Sequence, residues 1–149
     1  MVTQLSNREV VERYTDALGR LDLELMGMLL AHDVVEDYPQ SGERIVGLER
    51  WLAMQRAWPE VVEPRVEQVV GSEDQWLPGP TWGLMRVTGT GDDYWVHGRI
   101  KYANGETWHV AQLITLRGGR IAHIRSYFAA PFPAAEWRRP YVQAMEPEA

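Results

Sequence analysis

A chain of 149 residues with 45% hydrophobic content fits one domain with one core, and excludes a disordered tail or a fibrous repeat. The net charge is −6 and Lys101 is the only lysine among fifteen basic residues, so no basic run exists to track nucleic acid. Without cysteine there are no disulfides, thiolate metal sites or cysteine nucleophiles.

The opening segment has no apolar run long enough for a signal peptide, and no later stretch could span a bilayer, so a cytoplasmic location is expected. Ser6 and Glu9 form a capping box, after which Val10, Tyr14, Ala17 and Leu21 recur at helical spacing. Gly19 weakens the end of that helix, and Asp22 caps a second through Leu25, Met26, Leu29 and Leu30. Val34 to Tyr38 reads as a short strand, turned by Pro39-Gln40-Ser41-Gly42 into Glu43 to Val46. Leu48, Trp51, Leu52 and Trp58 mark a third helix that Pro59 stops. Beyond Pro64, strands are predicted over Arg65–Val70, Trp82–Thr88, Tyr94–Tyr102, Thr107–Leu116 and Ile121–Phe128, with Gly-rich or Asn-Gly turns between them. Helices first and a meander afterwards is an α+β order: three N-terminal helices covering one face of a curved antiparallel sheet. Seven Trp and six Tyr against two Phe suit a core that opens onto a cavity, because these rings are apolar with a polar edge.

Three stretches carry a family resemblance. They are Val11-Glu12-Arg13-Tyr14 with Ala17-Leu18 before Asp22, the hairpin from Tyr38 to Glu43, and the ending from Gly119-Arg120-Ile121 through Tyr127-Phe128 to Pro131-Phe132 and Trp137-Arg138. With them the chain resembles the nuclear-transport-factor-2-like superfamily, and within it the SnoaL-like group, over nearly all of residues 1–149 taken as a single domain. The resemblance implies a cone-shaped fold with a pocket between helices and sheet, and often a homodimer through the sheet's outer face. Ketosteroid isomerases, limonene epoxide hydrolases and polyketide cyclases belong to that superfamily, as do proteins with no chemistry, so fold does not settle function.

A two-residue turn at Asn104-Gly105 pairs Lys101 with Trp108, Arg99 with Val110, His97 with Gln112 and Trp95 with Ile114. A three-residue turn at Arg117-Gly118-Gly119 sets Val110 opposite Ser126, Trp108 opposite Phe128 and Gln112 opposite Ile124. These registers put Trp95, His97, Arg99, Trp108, Val110, Gln112, Ile124, Ser126 and Phe128 on the pocket face. They leave Val96, Ile100, Leu113 and Tyr127 as an apolar outer face for a second copy. A slip of one residue in either turn inverts the assignment. The family comparison supports this register, turns Glu36 and Tyr38 inward, and matches Tyr14 to the isomerases' oxyanion-donor tyrosine. It also aligns the isomerase base with Tyr38 and its second donor with Gln112, and the hydrolase Asp-Arg-Asp set with His97, Trp95 and Ser126, so neither machinery is intact. Between Thr107 and Ala135 there is no carboxylate at all.

His97 is the acid–base candidate, since an imidazole needs little tuning to work near neutrality; its structural alternative is a hydrogen bond to Gln112. Glu36 is either the partner of His97, a base in its own right, or one half of a salt bridge to Arg99. Tyr14 and Tyr38 are donors to a ligand oxygen or core residues, and the aromatic and aliphatic positions are pocket wall. The expected function is cofactor-free isomerase, cyclase or hydrolase chemistry on an apolar terpenoid-, steroid- or polyketide-like molecule. The alternative is a binding or accessory protein with the same pocket. No His spacing suggests a metal site, and no cofactor is expected.

Overall fold

The first helix starts where the capping box sets it. The structure, a computed structural model, describes residues 4–58, 63–71 and 91–145, and within 63–71 only Val69 beyond its backbone. Ser6 Oγ accepts from Glu9 N at 3.2 Å while Ser6 N donates to the Glu9 carboxylate at 2.7 Å, and α1 runs Asn7–Arg20. It ends at Leu21, a non-glycine residue at φ 52°, whose left-handed turn returns the chain so that Asp22 caps α2, Leu23–Leu29. Strand β1 spans Leu30–Tyr38, longer than the expected Val34–Tyr38 because it begins directly where α2 stops. β2 is Glu43–Val46, and Gly47 at φ 93° leads into α3, Leu48–Arg56. Then follow β3 (Glu63–Gly71), β4 (Asp93–Lys101), β5 (Thr107–Arg117) and β6 (Arg120–Ala129). The strand expected over Trp82–Thr88 and the stop at Pro59 lie outside the described residues.

The six described strands form one sheet in the order β2-β1-β6-β5-β4-β3, antiparallel throughout except that β1 pairs β6 in parallel. That exception brings Glu36 beside Ile124, two residues from Ser126, and so sets up the site. The helices cover one face of the sheet. Val10, Val11, Tyr14 and Ala17 of α1, Met26 and Leu29 of α2 and Trp51 of α3 share a buried cluster with Tyr94, Val96, Ile114, Leu116, Ile121 and Ile124 from the strands. Among the described residues no helix is long and apolar enough to cross a membrane.

Two turns decide which side chains reach that inner face. At the first, Tyr102 N donates to Glu106 O and Gly105 N donates to Tyr102 O, so the loop is Ala103-Asn104-Gly105 with Gly105 at φ 89°. A three-residue loop closed by a left-handed glycine shifts the β4–β5 register by one against the expected two-residue turn. Gln112 therefore faces Val96, not His97, and Ile114 faces Tyr94, not Trp95. Trp95, His97 and Arg99 belong to the outer face, and Val96 and Ile100, expected there, belong to the inner one. At the second turn the loop is Gly118-Gly119, one residue shorter than expected, and an irregularity at Ala122 adds one residue back. The two shifts sum to two, which preserves the face of every β6 residue from His123 on. Partners change instead, to Val110 with Phe128, Gln112 with Ser126 and Ile114 with Ile124.

Candidate functional site: a carboxylate held by neutral donors

Alternation along β1 sends two adjacent carboxylates to opposite sides of the sheet. Glu36 points inward and is 3% exposed. Its Oε1 accepts from Ser126 Oγ at 2.9 Å, and its Oε2 accepts from Trp51 Nε1 at 2.9 Å and from the Tyr38 hydroxyl at 3.1 Å. Ser126 in turn accepts from Gln112 Nε2 at 3.0 Å, and Gln112 Oε1 accepts from the Tyr14 hydroxyl at 3.3 Å. Every bond in this chain points the same way, from Tyr14 through Gln112 and Ser126 to Glu36. Such polarity suits an ionised carboxylate, which can only accept.

Among the described residues no cation pairs with Glu36. Burial is the largest influence on its acidity and raises its pKa above the ordinary carboxylate value. The bonds from Ser126, Trp51 and Tyr38 pull the other way, and the charge of Asp37 adds a small upward push. Tyr14 is fully buried, and burial followed by the Glu36 charge raises its pKa well above that of a free phenol. Tyr38 is half-buried, shifted upward by the same two causes, and its ring lies 5.9 Å from that of Phe128.

Asp37 shows the opposite behaviour on the outer side. Arg44 donates to it from two nitrogens, at 2.6 and 3.0 Å, and His123 Nε2 lies 2.8 Å from Oδ2. Chiefly through the Arg44 bond, its pKa falls from 3.8 to about 2. A carboxyl with a lowered native pKa stabilises the fold above its unfolded pKa, and loses that contribution as pH falls through the native value. Stability should therefore decline between pH 3.8 and about 2, and Asp37→Asn should flatten that part of a melting-temperature profile. An open cleft of about 440 Å³ lies here, lined by Asp37, Arg44, Arg125 and Tyr127 among others, and Glu36, Gln112 and Ser126 take no part in it.

Of the residues singled out in the sequence, the structure gathers Tyr14, Glu36, Tyr38, Gln112 and Ser126 in one hydrogen-bonded group. Ile124 packs beside it in the core, and Val110 and Phe128 are half-buried neighbours across β5 and β6. Trp108 shares their face but sits at the hairpin end, edge-on to Tyr102 at 5.1 Å and donating to Glu106. His97, Trp95 and Arg99 are not in the group, so neither the His97–Glu36 pair nor the Arg99–Glu36 salt bridge forms. The Tyr14 hydroxyl donates to Gln112 Oε1. Trp51 is the member missed. Its signal was a tryptophan on the buried side of a short helix, whose N–H must find an acceptor once buried.

The model of the SnoaL-like domain matches residues 11–124. The chain belongs to the SnoaL-like family. The SnoaL-like fold seen here is also that of a protein from Kribbella flavida DSM 17836 described as a candidate ketosteroid isomerase, with TM-score 0.77, 18% identity, and 95% of this chain and 91% of that one covered. A nuclear-transport-factor-2-like protein of unknown function from Burkholderia xenovorans LB400 gives TM-score 0.70 at 25% identity, covering 94% and 95%. An epoxide hydrolase of M. tuberculosis, resembling limonene epoxide hydrolase, gives TM-score 0.57 at 20% identity over 80% and 79%. A comparison with curated proteins found no match. This SnoaL-like chain is thus related in fold to isomerases and epoxide hydrolases, and to structures without an assigned activity.

Proposed function

We propose that the protein catalyses a cofactor-free proton transfer on a small, largely apolar organic molecule, with Glu36 as the base and Tyr38 as its relay to the ligand. The observation that carries this reading is a carboxylate buried to 3% exposure and held by three neutral donors instead of a cation. A carboxylate serving structure alone is almost never so buried without a positive partner. Held this way it stays charged yet becomes a stronger base than an exposed one, which is the tuning that acid–base catalysis at neutral pH needs. Three of its four acceptor directions are filled, and the partly exposed member of the group is Tyr38, beside Phe128. A ligand proton passes to the Tyr38 oxygen as the Tyr38 proton passes to Glu36 Oε2. Ser126 and Trp51 hold the carboxylate in place while this happens, and Val110, Phe128 and Trp108 supply apolar wall.

One observation favours a second reading, in which the same face binds a ligand without chemistry. Each donor around Glu36 already has its acceptor, as a structural cluster would. Deuterium wash-in from heavy water into a panel of enolisable cyclic ketones separates the two. Exchange catalysed by the native chain and slowed about 100-fold or more in Glu36→Gln supports the base. Binding without exchange supports the carrier, and exchange unaffected by Glu36→Gln removes Glu36 from the mechanism. His97→Ala, on the outer face, should leave the exchange rate within about twofold, as an outer-surface change does.

A further inference from the structure

Strand β1 stops before its neighbour does. The last pair of the parallel β1–β6 ladder is Asp37 with Arg125, and β1 ends at Tyr38, yet β6 runs on to Ala129. A backbone N–H of β6 beyond that point has no strand to meet on the β1 side. Phe128 N donates instead to Gln40 Oε1, at 2.6 Å. The side-chain amide carbonyl thus does what a main-chain carbonyl of a longer β1 would do. Gln40 is exposed and the bond lies at the surface, where water serves an N–H almost as well, so the bond adds little to stability. Its consequence is where it holds the loop.

The loop moves with Tyr38. Ser41 N and Gly42 N both donate to the Tyr38 carbonyl, at 3.2 and 2.9 Å, and Ser41 Oγ donates to it at 3.4 Å. Gln40 lies inside that turn, so a tie from Gln40 to β6 is a tie on Tyr38. The Tyr38 hydroxyl reaches Glu36 Oε2 at 3.1 Å, and its ring lies 5.9 Å from the Phe128 ring. Phe128 therefore meets this turn twice, through its N–H and through its ring. Of the three donors on Glu36, Trp51 and Ser126 are locked in the core, while Tyr38 is only half-buried. Tyr38 is the donor whose place packing fixes least.

We propose that Gln40 is a positioning residue for Tyr38: its amide oxygen fastens the β1–β2 turn to the end of β6, and so keeps the Tyr38 hydroxyl on Glu36 and the Tyr38 ring beside Phe128. This rests on Tyr38 being the relay of the proton transfer proposed above. Gln40 itself touches no reacting atom and acts through Tyr38 alone. A relay oxygen must stay within hydrogen-bond reach of both carboxylate and ligand, and a displacement of about 1 Å costs up to 100-fold in rate.

Two variants at this exposed position test the proposal with the fold intact. Gln40→Leu removes the acceptor at similar bulk, and Gln40→Glu keeps an acceptor oxygen at the same reach. In Gln40→Leu the Phe128 amide should exchange with solvent about fivefold faster or more, while the melting temperature stays nearly unchanged. Glu36 should titrate higher, because the Tyr38 bond that lowers its pKa is loosened. Deuterium wash-in into the cyclic ketones should slow about tenfold. Gln40→Glu should restore both the amide protection and the rate. A Gln40→Leu chain with the native Glu36 midpoint and the native rate overturns the proposal, as does a Gln40→Glu chain that rescues neither. If the native chain exchanges no ketone, the catalytic reading falls and the Glu36 midpoint decides alone. A rise in Gln40→Leu then still supports Gln40 as the residue that places Tyr38, and no rise overturns it.

Discussion

Glu36→Ala is expected to lower the stability of the fold by about 3 kcal/mol or more, because it leaves several buried donors without an acceptor. Ser126, Trp51 and Tyr38 all donate to this one carboxylate, and Trp51 and Ser126 are out of reach of water. Glu36→Gln should behave differently. Its amide oxygen can keep Trp51 and Tyr38, while its NH₂ donates to Ser126; the Ser126–Gln112–Tyr14 bonds then reverse direction, at the cost of the acceptor that the buried Tyr14 hydroxyl had in Gln112. Removing a desolvated charge compensates for what is weakened. A raised native carboxyl pKa also means that Glu36 detracts from stability at neutral pH, and that this penalty disappears as pH falls toward 4.5. Thermal melts should therefore place Glu36→Gln at or above the native protein at pH 7, with the gap closing in acid. Glu36→Ala should lie well below both throughout.

Trp51→Ala should be the most damaging single change in α3, at about 3–5 kcal/mol, since it empties a fully buried site. The indole packs 6.4 Å from the Tyr14 ring and touches the polar group at one atom only, Nε1. Trp51→Phe isolates that atom. Most of the volume survives, but a charge-assisted hydrogen bond worth about 1.5–3 kcal/mol is lost, and Glu36 should titrate higher for want of it. The cost should shrink as pH falls, because a protonated Glu36 needs the donor less. In a Glu36→Gln background the cost of Trp51→Phe should fall to that of a neutral bond, about 1 kcal/mol. Chemical denaturation of the four chains at pH 7 measures that coupling.

Helix starts were legible because capping is local: Ser6 with Glu9, and Asp22 before Leu23, act within one turn. The inward direction of Glu36 and Tyr38 came from the family resemblance, and alternation within one strand keeps the two on the same face. Strand pairing is not local, and a single residue in a turn decides it. Asn104-Gly105 serves a two-residue loop or the last positions of a three-residue one equally well, and the structure takes the second. Yet β4 itself held the answer. Tyr94 and Val96 are apolar and alternate with His97 and Arg99, and the apolar pair is the one that belongs in the core. At β5–β6 the inward residues came out right because two one-residue shifts add to an even number, and the pairs were still displaced by two. That Trp51 needs an acceptor was legible, but which one was not, because that depends on α3 lying over β1, a contact that no spacing in the sequence announces.

The central claim is that Glu36 is a carboxylate made more basic by burial, held ready by neutral donors rather than neutralised by a cation. Carbon-13 labelling of the glutamate side chains, with Glu36 assigned by the signal missing in Glu36→Gln, reads its titration directly. The account predicts a midpoint above the ordinary 4.5, moving higher still in Trp51→Phe. A midpoint at or below 4.5, unmoved by the loss of the Trp51 donor, would contradict it.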